Sequence, residues 1–456
     1  MLSLSDQRKK GEFMKNMIKA VDKYRDLILD AERFIWRHPE TGYKEFETSK
    51  YMEEKFRELG YELTLAEGIT GFYTVIDTGR EGPEVLILGE LDSVICSEHP
   101  DANKETGAVH ACGHNAQCAA LLGIAAALKE KEVLDRLCGR IRLCAVPAEE
   151  LLEIEYRSEL KKQGKIKYYG GKSEFLYRGY FDGVDIAFMV HTSYKACVSL
   201  GSVGCVAKNI IYKGKAAHAG RAPWDGVNAL YAANCGLNAV NAIRETFEEN
   251  DCIRVHPIIT HGGDIVNAIP ETVRLESYVR GKTFDAIKNA NVKVNRALCG
   301  AALSLNANVE IVDIPGYAPL VNDRNMMNLS RDAAAIVFPE IEFKIEEQFF
   351  TESTDMGDVS AVIPSVQPYI PGAIGNAHGK NYEIKDPETA CITCAKWQLV
   401  MLAMLLENGG EKAKKVIDEF VPAFATKEEF FAYQDSFMSS GNRIIYHDSG
   451  KVEIEI

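Results

Sequence analysis

A small set of side chains in this sequence can hold a divalent cation or move a proton, and each stands beside an apolar run. The segment His110-Ala111-Cys112-Gly113-His114-Asn115 sets a thiol and an imidazole two residues apart. The glycine between them has no side chain to obstruct a turn aiming both at one point. Pro147-Ala148-Glu149-Glu150 follows an apolar run and precedes Leu151-Leu152. That is a costly place for two carboxylates unless a cation or a proton offsets their desolvation. Adjacent side chains point in different directions, so one carboxylate can bind metal while the other faces a substrate. Asp92 and His191 each close an apolar run, and His378 lies in the glycine-rich segment from Pro371 to Gly379. Cysteine, histidine and carboxylate together are ligands for zinc or a similar divalent ion. Singly, each residue has a plainer reading: a thiol in the core, a hydrogen-bonded structural histidine, glutamates on a solvated face. Their common placement at the ends of predicted strands favours a site.

The elements that must position these residues follow from periodicity. Glu84 to Leu88, Arg140 to Pro147 and Val184 to Val190 read as buried strands, with an Ala-rich helix over Ala116 to Lys131. Alternating strands and helices predict a parallel sheet with helices packed on it, and in such a sheet the loops at the carboxyl ends converge on one crevice. From Ser202 the texture changes. Val203 to Gly214, Cys252 to His261, Val266 to Gly281 and Asn308 to Pro315 read as strands, with helices over Asp225 to Glu245 and Asp285 to Ser304. That order is the split βαβ sandwich. A helix over Asp323 to Val337, a strand over Gln367 to Ile370 and a helix over Thr389 to Leu406 return to the first domain. The expected fold class is therefore α/β, a mainly parallel-sheet catalytic domain with an inserted ferredoxin-like domain. The expected division is 1–201, 202–316 for the insertion, 317–410 for the return, and 411–456 for an extension with no functional reading.

The Cys112-Gly113-His114 segment, Pro147-Ala148-Glu149-Glu150, the His191 loop and Gly214-Lys215-Ala216-Ala217-His218-Ala219-Gly220 together resemble the dinuclear-metal aminoacylase and carboxypeptidase family. Within it the chain is most similar to the amidohydrolase branch that includes aminobenzoyl-glutamate hydrolase and related dipeptidases. The similarity runs from about Ala31 through Leu406. It implies two divalent metal ions, zinc or manganese, with Cys112, His114, Glu150, His191 and His378 as ligands. It implies Glu149 as general base and acid, and Asp92 as the acid supporting the site from behind. The implied chemistry is attack on an amide carbonyl by a water made acidic by the ions, with Glu149 taking its proton and returning it to the leaving amine. His218 would serve the site of a partner subunit and stabilise the developing oxyanion, which requires a homodimer through the inserted domain. Asn267 and Arg280 would contact the carboxylate of the substrate, a task that suits the planar fork of arginine. The segment Ser353 to Ser360 matches the branch as well, and Asp355 is expected near the metals without being counted as a ligand. Two stretches depart from the family pattern. Leu151 to Tyr169 is longer than usual and predicts a flap or helix close to the site, and Ser93-Val94-Ile95-Cys96 follows Asp92 where relatives carry a short Ala-Leu-Pro run.

Composition sets the outer bounds. The chain has 456 residues, 46% of them apolar, which is ample for a sizeable core. Against 52 Lys plus Arg stand 66 Asp plus Glu, a net charge of -14, which disfavours nucleic acid as a partner. The apolar stretches fall short of the roughly 18–20 residues of a spanning helix, so no membrane is expected. The 12 cysteines show no small-domain spacing and the opening MLSLSDQRKKGEF has no apolar export stretch, so reduced thiols in the cytoplasm are expected. Cys391 and Cys394 stand at helical spacing without a second pair and read as core. A nucleophilic Cys112 would need a base and an oriented third group rather than two extra carboxylates. The expected enzyme is a metal-dependent amidohydrolase acting on small-molecule N-acyl or aminobenzoyl amino acids or small dipeptides. The alternatives are a dipeptidase or carboxypeptidase of the same fold, and a silent binding protein, against which the complete ligand set and base argue.

Overall fold

The strand Glu84–Glu90 is buried at every one of its seven positions, the signature of a strand covered on both faces. It lies parallel to Arg140–Val146 on one side and to Ile186–Phe188 on the other, and Ser365–Val366 extends the parallel set. Phe72–Asp77 and Thr64–Leu65 finish this sheet as antiparallel strands, so it is mixed rather than purely parallel. Glu90 pairs with Val146, which brings the carboxyl ends of the two central strands level and sets Asp92 beside the turn at 147–150.

The computed structural model describes residues 4–456, with side chains from Gly11 onward. It divides into two compact units. One comprises the chain up to Gly201 with Leu320–Phe350 and Asp358–Lys427; the other comprises Ser202–Pro319, Thr351–Gly357 and Glu428–Ile456. In the first, the helix His114–Ala127 is buried on every side, as small alanines allow close approach to the sheet. Gly89 provides the matching space, since a Cβ there would stand 3.2 Å from the Leu121 side chain. A helical stretch over Glu388–Leu406 is long and apolar enough to cross a membrane by length and composition, but it is mostly buried. It is a core helix: the Trp397 indole donates to the Ser330 carbonyl at 2.9 Å, and Cys391 and Cys394 are buried within it.

Three local expectations change. The segment from about Phe13 to Arg37, which reads as one helix from its spacing, falls in two helices, Leu4–Asp22 and Arg25–Trp36, because Tyr24 leaves helical geometry and, with Lys23, reaches Glu130. The run ending at His191 splits: Ile186–Phe188 stays in the main sheet, while His191–Thr192 pairs with Tyr369–Ile370 in a second sheet. That second sheet also contains Phe343–Phe350, a strand whose mixed polar pattern hid it.

The second unit is an antiparallel sheet built on Gly204–Lys213, flanked by Thr272–Gly281 and Asn308–Pro315. Arg254–Val255 and Ile258–His261 pair along the far side of Thr272–Gly281. The helices Ala229–Ala242 and Phe284–Ser304 supply its apolar core with Leu275, Val294 and Ile311 among the buried residues. A buried Lys208 is matched by Asp313, with Asn291 and Asn295 donating to the same carboxylate at 2.8 and 2.9 Å. Residues 439–443 run along the outer edge of Asn308–Pro315, with Asp313 N–H donating to the Ser439 carbonyl at 3.0 Å and Arg443 N–H to the Val309 carbonyl at 2.8 Å. The C-terminal segment thus covers a sheet edge that would otherwise present unpaired backbone groups.

Candidate metal centre

Each side chain is aimed by the backbone around it. Gly113 has φ +90, and a Cβ there would overlap the Thr192 hydroxyl and the Tyr382 hydroxyl, so only glycine makes this turn. The turn delivers Cys112 on one side and His114, the first residue of its helix, on the other. His114 Nδ1 lies 3.0 Å from the Asp92 carbonyl and 3.2 Å from its Oδ1, both acceptors, so this nitrogen carries the proton and Nε2 offers its lone pair to the site. Asp92 Oδ2 accepts the Glu150 N–H at 2.8 Å, which ties the helix start to the Glu149-Glu150 turn. His191 Nδ1 faces the Thr192 carbonyl at 2.8 Å and its Nε2 faces Cys112 Sγ at 3.5 Å. His378, at φ +61, is held by its N–H to the Ala111 carbonyl at 2.8 Å, and its Nε2 stands 3.0 Å from Glu150 Oε1.

Three overlapping groups result: Cys112, His114 and His191; Cys112, Glu150 and His378; and Glu90, His114 and Glu149. In each, the ligand atoms lie within 4.8 Å of one another. Atoms bound about 2.0–2.3 Å from one ion stand about 3.0–3.6 Å apart, depending on coordination number. The separations of 3.5 Å for Cys112 to His191, 3.2 Å for His114 to Glu90 and 3.0 Å for His378 to Glu150 fall within that range. Glu90 Oε2, His114 Nε2 and Glu150 Oε1 are buried without a hydrogen-bond partner. Lone pairs converging without donors need a cation, so the residues fit divalent metal.

The electrostatics agree. Burial and the Glu150 charge push the Cys112 thiol up, but His114 and His191 outweigh them and bring it down to about 6. His378 is pushed up to about 11, first by the Glu150 charge. Burial alone would raise Glu150, and His378 reverses that to a net lowering. His110 is the contrast: fully buried and brought down to about 3 by desolvation and then by the His114 charge, it stays neutral and holds no place in these groups.

Two members of the neighbourhood escaped the sequence reading. Glu90, the last residue of a wholly buried strand, is held by the Lys172 ammonium on one oxygen and faces His114 with the other. Burial would raise its pKa, yet the charge of Lys172 outweighs this and holds it at about 2. Arg157 comes from Leu151 to Tyr169, where the expected flap or helix takes the helical form: it contains the helix Ile154–Lys162, and Glu153 at its start accepts from Thr41 and Lys44, both at 2.6 Å. Nothing in the spacing of either residue announced a partner: Glu90 meets Lys172, 82 positions on, and Arg157 meets backbone carbonyls, which carry no side-chain signal in the sequence.

His218, Asn267 and Arg280 lie in the second unit. His218 and Asn267 are neighbours on two paired segments, with Ala219 N–H donating to the Asn267 carbonyl at 2.9 Å. His218 Nδ1 accepts from the N–H groups of Gly220 and Arg221 at 3.2 Å, which leaves the proton on Nε2 as an exposed donor. Arg280 sits elsewhere. Thr272 pairs with Lys213 at one end of the sheet and Arg280 with Cys205 near the other. Eight positions at a rise of about 3.3 Å put it about 26 Å along the strand, so within one chain Arg280 forms no cluster with Asn267. Asp355 is buried in Thr351–Gly357, within the second unit.

Comparison with known proteins accords with this chemistry. An N-acetyl-L-cysteine deacetylase of Bacillus subtilis is 30% identical over 327 residues, covering 67% of this chain and 72% of that protein. A Xaa-Arg dipeptidase of Mus musculus is 29% identical over 370 residues, 76% of this chain and 77% of the relative. A crystal structure of a dinuclear metal binding peptidase of the M20 family from Bacillus subtilis shares the fold with a TM-score of 0.62 at 21% identity, over 84% of this chain and 99% of that one. The family described as peptidase family M20/M25/M40 matches residues 86–403. With a thiolate, imidazoles and carboxylates gathered at strand ends inside that matched stretch, the chain is a metal-dependent hydrolase of amide bonds and belongs to peptidase family M20/M25/M40.

Proposed function

We propose that this enzyme cleaves the amide bond of an N-acyl amino acid, or of a small dipeptide, whose product carries a free carboxylate. The observation that carries this reading is the shared use of Cys112 by two ligand groups, with the Glu149 carboxylate in a third group beside them. Cys112, His114, Glu150, His191 and His378 would hold two divalent ions, zinc or manganese, with the thiolate favouring zinc and the carboxylates compatible with either. Bound there, the ions supply Lewis acidity, which acidifies water and polarises an amide carbonyl.

The chain does the rest. Glu149 accepts the proton of the attacking water and hands it to the leaving amine. Asp92 fixes the His114 tautomer with one oxygen and the Glu150 backbone with the other. His218, with its proton on Nε2, is a donor suited to a developing oxyanion, and we assign it to the site of a second copy in a homodimer formed through the second unit. Asn267 and Arg280 remain candidates for the substrate carboxylate, as contributions from separate ends of the sheet. All twelve cysteines are free, which suits a reducing cytoplasm. The deacetylase relative favours the N-acyl reading and the dipeptidase relative the second.

The test is Glu149→Gln. Turnover of N-acyl amino acids and dipeptides should fall by at least about 1,000-fold while metal content, measured by mass spectrometry, stays at the wild-type value. A variant retaining wild-type kcat would remove Glu149 from the role of base, and activity that survives complete metal stripping would overturn the metal reading.

A further inference from the structure

Arg157 is 1% exposed, so its charge is taken wholly out of water. A buried cation is costly, several kcal/mol even after the surroundings relax, and persists where it holds something in place. Its donors reach backbone carbonyls: one terminal nitrogen donates to the Tyr169 carbonyl at 2.6 Å and lies 3.4 Å from that of Ala148, and the other donates to the Glu150 carbonyl. The two carbonyls of the turn belong to the residues on either side of Glu149. The N–H groups of the same two residues are held from the opposite side, Ala148 by Glu45 Oε1 at 2.8 Å and Glu150 by Asp92 Oδ2 at 2.8 Å. Glu45 in turn accepts from the Thr70 hydroxyl at 2.6 Å.

The turn needs this grip. Ala148 sits at φ +56, a left-handed conformation that is strained for a non-glycine residue and survives only when the surroundings over-determine it. Room for the guanidinium is made by Gly42, where a Cβ would come within 2.5 Å of an Arg157 nitrogen and 2.9 Å of the Ala148 Cα. The segment bearing Arg157 is itself pinned: the Tyr43 hydroxyl donates to the Tyr168 carbonyl at 3.2 Å, and Ser158 and Tyr169 share a hydrogen bond of 2.6 Å.

We propose that Arg157 is a positioning residue for amide hydrolysis, gripping the carbonyls that flank Glu149 so that its carboxylate is aimed at the reacting water. Residues 151–169 are then the strut that carries this grip. The proposal rests on the reading of Glu149 as proton carrier. A carboxylate turned away by about 1 Å loses rate without losing substrate, so the signature is a fall in kcat of about 10- to 100-fold with KM within about threefold.

Arg157→Met and Arg157→Lys should both show that split with wild-type metal content, since an ammonium cannot span two carbonyls as the planar fork does. Millimolar guanidinium ion should restore part of the kcat of Arg157→Ala and none of that of Glu149→Gln. Gly42→Ala, whose Cβ would crowd both the guanidinium and Ala148, should also lose kcat, and wild-type kcat there overturns the proposal even if the Arg157 variants fail to fold. Wild-type kcat in Arg157→Met or in Gly42→Ala overturns the proposal. Loss of proton-carrier behaviour is read separately from Glu149→Gln, so an active Glu149→Gln enzyme would sink the underlying reading rather than this one.

Discussion

At the scale of single residues, the site is defined by imidazole, thiolate and carboxylate atoms aimed at one another, which hold protons among them until a cation takes their place. Asp92 and the Thr192 carbonyl fix the tautomers of His114 and His191, and this turns two ring nitrogens toward Cys112 and the carboxylates. Binding a cation must therefore displace protons. His378 stands near 11 in the metal-free charge balance because of Glu150, and His114 is raised well above its ordinary value, with burial opposing and Glu90 and the thiolate prevailing. A histidine held above neutrality is protonated at pH 7 and must lose that proton to coordinate, whereas Cys112 near 6 is already mostly thiolate. Cation affinity should thus rise with pH across the range 6 to 9, with net proton release in calorimetry run in two buffers of different ionisation enthalpy; uptake without release would show that the histidines are already neutral before the ion binds. Glu90 is legible only in three dimensions. In sequence it is one acid closing an apolar strand, and its partner Lys172 stands 82 positions away. Glu90→Gln should weaken retention of one ion by about 10- to 100-fold, read by chelator competition, with the second ion unaffected.

At the scale of elements, the strands and helices that carry the ligands were mostly legible from periodicity, and their junctions were not. The helix His114–Ala127 was expected to begin at Ala116, and the two residues of difference matter because His114 is the helix's first turn. The run closing on His191 reads as one strand, yet it leaves the main sheet between Phe188 and His191. Only pairing with Tyr369–Ile370 reveals the second sheet. Gly113 ties these elements together, because its φ of +90 is what lets Cys112 and His114 face one point. Gly113→Ala should cost about 1–3 kcal/mol of stability, seen in denaturant unfolding, together with at least tenfold weaker metal retention. An alanine variant with wild-type metal retention would show that the turn does not aim the ligands.

At the scale of the whole molecule, the ligand groups all belong to one unit and His218 with Asn267 to the other. The assignment of His218 to a second copy gives a direct expectation. Random 1:1 exchange of His218→Ala chains with Glu149→Gln chains, two variants each inactive alone, makes about half the dimers mixed and should recover up to about a quarter of wild-type activity through the one intact composite site of each mixed dimer. No recovery in a verified mixed dimer would place His218 in the site of its own chain. The separation of Arg280 from Thr272, the strand end that follows Asn267 in the chain, by about 26 Å adds a constraint at this scale. If both serve one substrate, they reach it from different chains.

The sequence by itself determined the chemistry: Cys112, His114, Glu149, Glu150, His191 and His378 stand out because polar ligands beside apolar runs are expensive unless a cation rewards them. It determined most of the order of strands and helices too, since periods of two and of about 3.6 are local properties, but not the strand Phe343–Phe350, whose pattern is mixed. Tertiary structure alone decided which charges meet. Lys172 on Glu90, Arg157 on the backbone around Glu149 and Glu45 on the Ala148 N–H join residues 82, 7 to 12 and 103 positions apart. Such contacts leave no periodic trace. They arise when folding removes water from a buried charge and obliges it to find the nearest group that can replace that water.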